Sequence, residues 1–259
     1  MPGYQTQQTR VEIVGAAALQ IRSLLDRQQF SDPLGAAARL GISSATWPLF
    51  GLLWPSGAHL AAHLAANLAA PLAANLASSI TAPLAADPAE HALQPGRRIL
   101  EVGCGLALAS LVGHRCGADM TASDCHPLAA EFLRANLALN GLLPMKYRHG
   151  EWDGRLEGGA QQERVSQRYE LIIGSDVLYD RDASAALAGF IGRHATPDSE
   201  VWIVDPERGN RPAFTRSMAM QGYALEQTRL DTAATAGEPA YRGRLLTYRR
   251  SAAEAAVVD

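Results

Sequence analysis

The feature that most restricts the fold of this chain is an alternation of two patterns between residues 97 and 250. Short β-branched apolar runs predict strands, and the longer stretches between them have the apolar spacing of helices. The predicted strands are Arg98–Val102, Met120–Ser123, Met145–Arg148, Leu171–Gly174, Val201–Val204, Ala224–Thr228 and Gly243–Tyr248. The predicted helices are Leu106–Cys116, Pro127–Asn140, Asp182–His194 and Arg211–Gln221. This alternation predicts an α/β protein with a mostly parallel sheet and helices on both faces. The last two strands, with no helix between them, predict an antiparallel hairpin at one edge.

The first 96 residues follow a different pattern. Val11–Val14 and Leu19–Leu24, separated by Gly-Ala-Ala-Ala, predict a hairpin that precedes a loop rich in glycine and proline. Alanine and leucine then crowd into residues 57–93, with leucine or isoleucine at every fourth position. That spacing turns the apolar stripe by about 40° per step, so the stripe winds around a helix. Because Pro71 and Pro83 would break or kink a helix, the segment predicts two or three short helices. The alternative is a leucine-rich helix that binds a partner.

The residues Arg98-Ile-Leu-Glu-Val-Gly-Cys-Gly-Leu-Ala107 form an apolar strand, an acidic residue and a glycine turn that opens a helix. Gly103 and Gly105 allow the backbone to approach a ligand, and the helix start offers unpaired N–H groups to an anion. A dinucleotide site requires a third glycine where this chain has Leu108, which disfavours an NAD-dependent oxidoreductase. Glu101 can instead bind an ammonium group, while the backbone amides of the turn bind a carboxylate. The methionine half of S-adenosylmethionine (SAM) carries both groups. A purely structural tight turn is the alternative.

Further polar and aromatic residues follow the next predicted strands, at the edge where such sheets bind ligands. Asp124 lies nineteen residues past Gly105, and its two carboxylate oxygens can accept hydrogen bonds from both hydroxyls of a ribose. The alternative is that Asp124 caps a helix. Trp152 can cover the face of an adenine, and Asp153 can accept a hydrogen bond from its exocyclic amine. The alternative for Trp152 is a core position. The fourth strand ends in Ser175-Asp176-Val177-Leu178-Tyr179.

Together these motifs resemble a known family. The pattern E-x-G-x-G-x-A at Glu101–Ala107 is similar to motif I of class I, seven-β-strand SAM-dependent methyltransferases. Ser175–Tyr179 resembles the acidic-Val-x-Tyr motif of their lysine-methyltransferase-like family 16 branch, which includes nicotinamide N-methyltransferase-like enzymes. Leu53-Trp54-Pro55-Ser56 is similar to the amino-terminal tryptophan motif of that branch. Asp205–Gly209 resembles an Asp-Pro-x-Arg segment of enzymes that methylate the β subunit of electron-transfer flavoprotein, or it is a salt-bridged turn.

The resemblance implies a Rossmann-like, doubly wound, seven-stranded sheet, SAM as the cofactor, and a role for each motif residue. The cofactor-binding residues that it implies are Trp54, Glu101, Gly103, Cys104, Gly105, Asp124, Trp152, Asp153 and Ser175. Ser175 replaces a glycine or alanine of the branch, so it is expected to bind through its backbone. Asp176 and Tyr179 are the implied catalytic residues, which orient the acceptor. Trp54 is otherwise a buried loop aromatic.

The residue patterns and the resemblance, which covers roughly residues 45–250, together predict four regions. These are an N-terminal hairpin and loop over 1–55 that covers the cofactor site, a helical leader and linker over 56–96, a SAM-binding core over 97–250, and a disordered tail over 251–259. The first expected function is methylation of a protein lysine. Methylation of a small molecule such as nicotinamide, and SAM binding without catalysis, remain alternatives.

The charge, histidine and cysteine content of the chain argues against several classes of partner. The 23 basic and 26 acidic side chains nearly balance at a formal charge of −3, which disfavours duplex DNA and anionic membranes as partners. Histidine spacing offers no metal motif, so no metal site is expected. Three cysteines without a C-x-x-C pair, a polar amino terminus and the lack of an eighteen-residue apolar run predict a cytoplasmic protein.

Overall fold

A computed structural model describes residues 4–25, 35–39, 42, 47–78, 96–153, 163–234 and 239–250. Its strands are β1 Thr6–Ile13, β2 Ala16–Leu24, β3 Arg98–Val102, β4 Asp119–Asp124, β5 Lys146–His149, β6 Tyr169–Ser175, β7 Ala195–Asp205, β8 Ala224–Arg229 and β9 Arg244–Arg250. Its helices are α1 Ala36–Arg39, α2 Pro55–Ser78, α3 Leu108–Arg115, α4 Ala129–Leu139, α5 Arg181–His194 and α6 Arg211–Ala219, with a short 3₁₀ helix at Trp47–Leu49. The tail over 251–259, Pro83 and most of the expected linker lie outside the described residues.

Within these residues, seven strands form one sheet in the order β5-β4-β3-β6-β7-β9-β8. Strands β3 to β7 pair in parallel, whereas β9 runs antiparallel to both β7 and β8. The predicted α/β class, the mostly parallel sheet and the antiparallel C-terminal pair are confirmed. Because the chain reverses its lateral direction between β3 and β6, the carboxyl ends of these two strands flank the crevice of a doubly wound sheet.

The central strand β3 explains why the sheet is buried on both faces. Alternate residues point to opposite faces of a strand. Ile99 joins one apolar cluster with α2, α3 and α4, while Leu100 and Val102 join another with α5 and α6. All three are almost completely buried. This packing fixes the carboxyl end of β3, from which the glycine turn begins.

The Ala/Leu-rich segment departs from its prediction. Residues Pro55–Ser78 form one helix that continues through Pro71, so the expected break there is wrong. A proline removes one backbone hydrogen bond, but the surrounding alanines and leucines have the highest helix propensities. Leu60 and Leu64 are fully buried against the core. The first turns of this helix therefore belong to the core.

The N-terminal hairpin is present, and its turn is Val14–Gly15 rather than the predicted Gly-Ala-Ala-Ala stretch. It packs against α4 through two asparagine side chains. Asn140 Oδ1 accepts from Gln20 N at 2.9 Å, and Asn136 Oδ1 accepts from Arg22 N at 2.8 Å. In the described parts of the chain, no helix is both long and apolar enough to cross a membrane.

Candidate active site

A cavity of about 460 Å³ lies at the carboxyl edge of the parallel strands. All eleven site residues that the sequence predicts line it: Trp54, Glu101, Gly103, Cys104, Gly105, Asp124, Trp152, Asp153, Ser175, Asp176 and Tyr179. The volume falls within the range typical of small-molecule and cofactor sites. Residues far apart in the sequence therefore converge on one site, while their individual roles remain predictions.

The glycine turn after β3 forms the floor of this cavity. Gly103 has φ 58° and Gly105 has φ 52°, a region that favours glycine. A Cβ at Gly103 would lie 2.9 Å from Val177 Cγ1 and 3.5 Å from the Trp152 ring, whereas a Cβ at Gly105 would meet no atom within 4 Å. The bare backbone at Gly105 leaves open space beside the cavity, which fits the close approach of the methionine half of SAM.

Helix α3 begins at Leu108, two residues later than predicted, because Ala107 adopts a left-handed φ of 61°. The buried Glu101 carboxylate accepts the N–H of Ser110 at 2.8 Å through Oε2. Burial raises the pKa of Glu101 to about 7, while hydrogen bonding to Ser110 opposes the rise. Oε2 accepts one N–H from the helix, so Oε1 and a second acceptor site on Oε2 remain for the predicted ammonium contact of Glu101.

We expect Glu101 to make stability depend on pH. Its pKa is higher in the folded chain than the ordinary 4.5, so the folded state binds the proton more tightly and stability falls as pH rises from about 4.5 to about 7. The shift corresponds to a loss of about 3 kcal/mol, to order of magnitude. Glu101→Gln keeps the acceptor for Ser110 and should remove this slope, which urea unfolding at pH 4.5, 6 and 7.5 measures.

The matched control for this experiment is Glu170→Gln. Glu170 is partly exposed, and hydrogen bonding to Arg98 lowers its pKa. The stability that ionised Glu170 contributes is therefore lost as pH falls, which is the opposite sign to Glu101. The change is small because solvent screens the Glu170–Arg98 pair. Equal pH slopes for wild type and Glu101→Gln would show that folding leaves the pKa of Glu101 unchanged.

Asp124, at the end of β4, fixes the glycine turn from the side. Its Oδ2 accepts from Gly105 N and its Oδ1 accepts from His126 N, both at 2.8 Å. Burial raises the pKa of this carboxyl, and the N–H groups that it accepts oppose the rise. Each oxygen retains a further acceptor site, so the predicted ribose contacts remain compatible with this geometry.

One aromatic wall of the cavity was missed by sequence reasoning. His126 stacks on Phe50, with ring centroids 3.8 Å apart, and on Trp47, at 4.1 Å. His126 and Phe50 both line the cavity. The His126–Phe50 contact joins residues 76 positions apart, and no local sequence pattern predicts it. Gly57, in the first turn of α2, also lines the cavity, so the Ala/Leu-rich segment is not wholly remote from the site.

The predicted acceptor side of the cavity contains an ion pair. Arg208, after β7, donates from Nε and Nη2 to the two carboxylate oxygens of Asp176, with Nη2 2.7 Å from Oδ2. The Arg208 guanidinium also lies over the Trp54 ring, 5.5 Å from its centroid, and Trp54 Nε1 donates to Leu49 O. The Asp205–Gly209 segment is thus a salt-bridged turn, and both carboxylate oxygens of Asp176 accept from Arg208.

Tyr179 also lines the cavity. Burial raises the pKa of its hydroxyl, and the nearby Cys125 and Asp124 raise it further. Asp176 pairs with Arg208 beside Trp54. The two predicted catalytic residues thus have different electrostatic neighbours, with Tyr179 on the Asp124 side.

The described residues that line the cavity carry more negative than positive groups. Six are acidic: Glu101, Asp124, Glu151, Asp153, Asp176 and Asp182. Arg208 is the one arginine among them, and none is a lysine. Such a charge distribution attracts cations. The sulfonium of SAM is such a cation.

This sheet order, with a glycine turn after β3 and an acid at the end of β4, defines a class I SAM-dependent methyltransferase fold. The chain belongs to the Lysine methyltransferase family, whose sequence profile matches residues 49–218. The electron transfer flavoprotein beta subunit lysine methyltransferase of Xenopus laevis is 27% identical over 138 residues, which cover 51% of this chain and 52% of that protein. Protein N-lysine methyltransferase METTL21A of Danio rerio is also 27% identical over 138 residues, 53% of this chain and 62% of that protein.

A solved SAM-dependent methyltransferase from Methanosarcina mazei aligns with 65% of this chain and 99% of its own, at 14% identity and a TM-score of 0.49. The chain spans about half to three fifths of the length of the two curated relatives above.

Proposed function

We propose that this protein is a SAM-dependent N-methyltransferase whose acceptor is the side chain of a protein lysine. The observation that carries the proposal is the convergence of all eleven predicted residues on one acidic cavity. Asp153 and Asp182 are exposed at this cavity and Glu151 is half-buried, so its acidic lining extends to the surface. An exposed acidic rim suits a lysine carried on a protein surface. Family membership and the names of both relatives support the same reaction class.

When bound, SAM supplies a methyl group on a positively charged sulfur. The protein's task is to hold the acceptor nitrogen in line with that group and to exclude water. Gly103, Cys104 and Gly105 would present backbone to the methionine half, and Asp124 would accept from the ribose hydroxyls. Trp152 and Asp153 would hold the adenine, with Ser175 contributing backbone.

On the acceptor side, Asp176 and Tyr179 would orient the amine, while Trp54 would lie against the cofactor. A lysine amine has an ordinary pKa of about 10.4 and must lose its proton before it attacks. We assign no dedicated base, because water can accept that proton. The region boundaries predicted from the sequence are retained as part of this proposal, and so is a cytoplasmic location, which rests on the cysteine pattern.

The proposal is tested by incubating the protein with methyl-labelled SAM and a lysate of its own organism, separated into protein and small-molecule fractions. We expect label on lysine in the protein fraction. Lys146 is the single lysine of the chain and its side chain is about half exposed. Lys146→Arg therefore removes self-methylation on lysine without changing charge, and it serves as the matched control.

Each outcome has one meaning. Label only in small molecules would reject the lysine acceptor in favour of a nicotinamide-like one. Label in neither fraction, together with SAM binding by isothermal titration, would indicate a non-catalytic SAM-binding protein. Failure to bind SAM would reject both enzymatic readings.

A further inference from the structure

The ion pair between Asp176 and Arg208 is held by two unusual backbone positions. Asp176 has φ 57° and Glu207 has φ 59°, both in the left-handed region that residues other than glycine rarely adopt. Asp176 N donates to Val204 O at 2.9 Å, which ties the end of β6 to β7. Glu207 is itself paired with Arg244, with 2.8 Å between Oε1 and Nε. The backbone at Asp176 and the residue before Arg208 are thus each held by a specific contact.

The pair leaves the carboxylate in place but neutralises its charge. A bidentate guanidinium–carboxylate contact is strong and directional, and the guanidinium stays protonated at any assay pH. Asp176 is about 10% exposed, so solvent screens the contact only partly. An amine bound beside Asp176 would meet a neutral ion pair rather than a free anion.

This difference matters for the reacting nitrogen. A free carboxylate next to an amine favours the protonated ammonium, which has no lone pair to attack with. In the transfer step, the nitrogen lone pair forms the N–C bond while the C–S bond breaks and leaves its electrons on sulfur. The methylated ammonium then releases a proton to water. Any group that favours the uncharged amine therefore accelerates the step.

The other titratable groups around the pair do not replace Arg208. Asp205, at the end of β7, interacts electrostatically with both Asp176 and Arg208, and it faces Arg211. Tyr241 also faces the pair, and burial raises its pKa to about 12, so its hydroxyl is neutral at assay pH. The two acids are thus balanced by two arginines. Removing Arg208 leaves one uncompensated negative charge.

We propose that Arg208 is a positioning residue that neutralises Asp176, so that the acceptor amine binds beside this carboxylate as the uncharged nucleophile. This inference rests on the proposed function, because it requires an amine acceptor. Arg208 acts through Asp176 and does not itself attack or accept a proton. Its contact with Trp54 holds the guanidinium against the wall of the cavity.

The test compares Arg208→Gln with Arg208→Lys and with Arg229→Gln as the matched control. Arg229 forms an exposed ion pair with Asp231, outside the residues described as lining the cavity. The initial rate of transfer to the labelled protein fraction is measured from pH 6 to 10. Arg208→Gln should move the half-maximal pH upward by about one unit, as expected for loss of a nearby partly screened charge. Arg208→Lys should give a smaller shift, and Arg229→Gln none.

A second readout does not depend on turnover. Butylamine labelled with ¹³C next to nitrogen mimics a lysine side chain, and its binding is followed by NMR across the same pH range with S-adenosylhomocysteine present. Wild type should prefer the uncharged amine, whereas Arg208→Gln should prefer the ammonium. Absence of binding, or the same pH dependence in both proteins, would overturn the inference. If wild type transfers no methyl group but the butylamine preference holds, the proposed function fails and the role of Arg208 stands.

Discussion

Gly103→Ala should weaken SAM binding by about 100-fold. Placing a residue that has a Cβ at φ 58° costs about 1–2 kcal/mol of backbone strain. The new Cβ would also lie 2.9 Å from Val177 Cγ1. Val177 is only 2% exposed and cannot retreat into solvent. The turn must therefore shift, and it carries the N–H groups proposed to bind the methionine half. A 100-fold change corresponds to about 2.7 kcal/mol, within the combined range of strain and overpacking.

The control for Gly103→Ala is Gly117→Ala. Gly117 also has a positive φ, 81°, but a Cβ there would meet no atom within 4 Å, and it does not line the cavity. Both variants should lose about 1–2 kcal/mol of unfolding free energy from backbone strain alone. Only Gly103→Ala should lose SAM affinity, as measured by isothermal titration. Equal affinities for the two variants would show that the turn does not bind the cofactor.

The sequence predicts the core of this fold well because local patterns determine it. β3 matches its prediction at both ends, since an apolar run is bounded by Arg98 and by the glycine at position 103. β7 is longer than predicted, beginning at Ala195 instead of Val201. Its first part has three exposed or half-exposed residues before Ser199, so it lacks the continuous apolar signal of a buried strand.

The contacts between elements are less predictable, and they control the acceptor side. Asp176 and Arg208 are 32 positions apart and meet because β6 and β7 are parallel neighbours whose carboxyl ends adjoin. The motifs that contain Asp176 and Arg208 are visible in the sequence, but the pairing of these two residues follows from the strand order. The continuation of α2 through Pro71 was missed for a different reason, since a local helix-breaking rule is outweighed by strong helix formers on both sides.

Asp124→Asn should weaken SAM binding by about 100-fold while the chain remains folded. The carboxylate accepts one N–H on each oxygen, from Gly105 and from His126. An asparagine offers one acceptor oxygen, so its NH₂ group must face one of these two donors. Loss of a hydrogen bond to a charged group costs about 1.5–3 kcal/mol. The substitution loosens the glycine turn and removes one of the oxygens proposed to accept from the ribose, so both effects act on the same ligand.

Asp119→Asn provides the comparison, because Asp119 begins the same strand that Asp124 ends. Asp119 pairs with Lys146 at the surface, 2.6 Å apart, and an exposed pair of this kind contributes about 0–1 kcal/mol. The control removes the same charge from β4 at the opposite end from the cavity, so it should leave SAM affinity unchanged. If both variants weakened SAM binding equally, the loss would reflect the charge of the strand as a whole. If neither did, Asp124 would neither contact the ribose nor hold the turn in the shape that the cofactor requires.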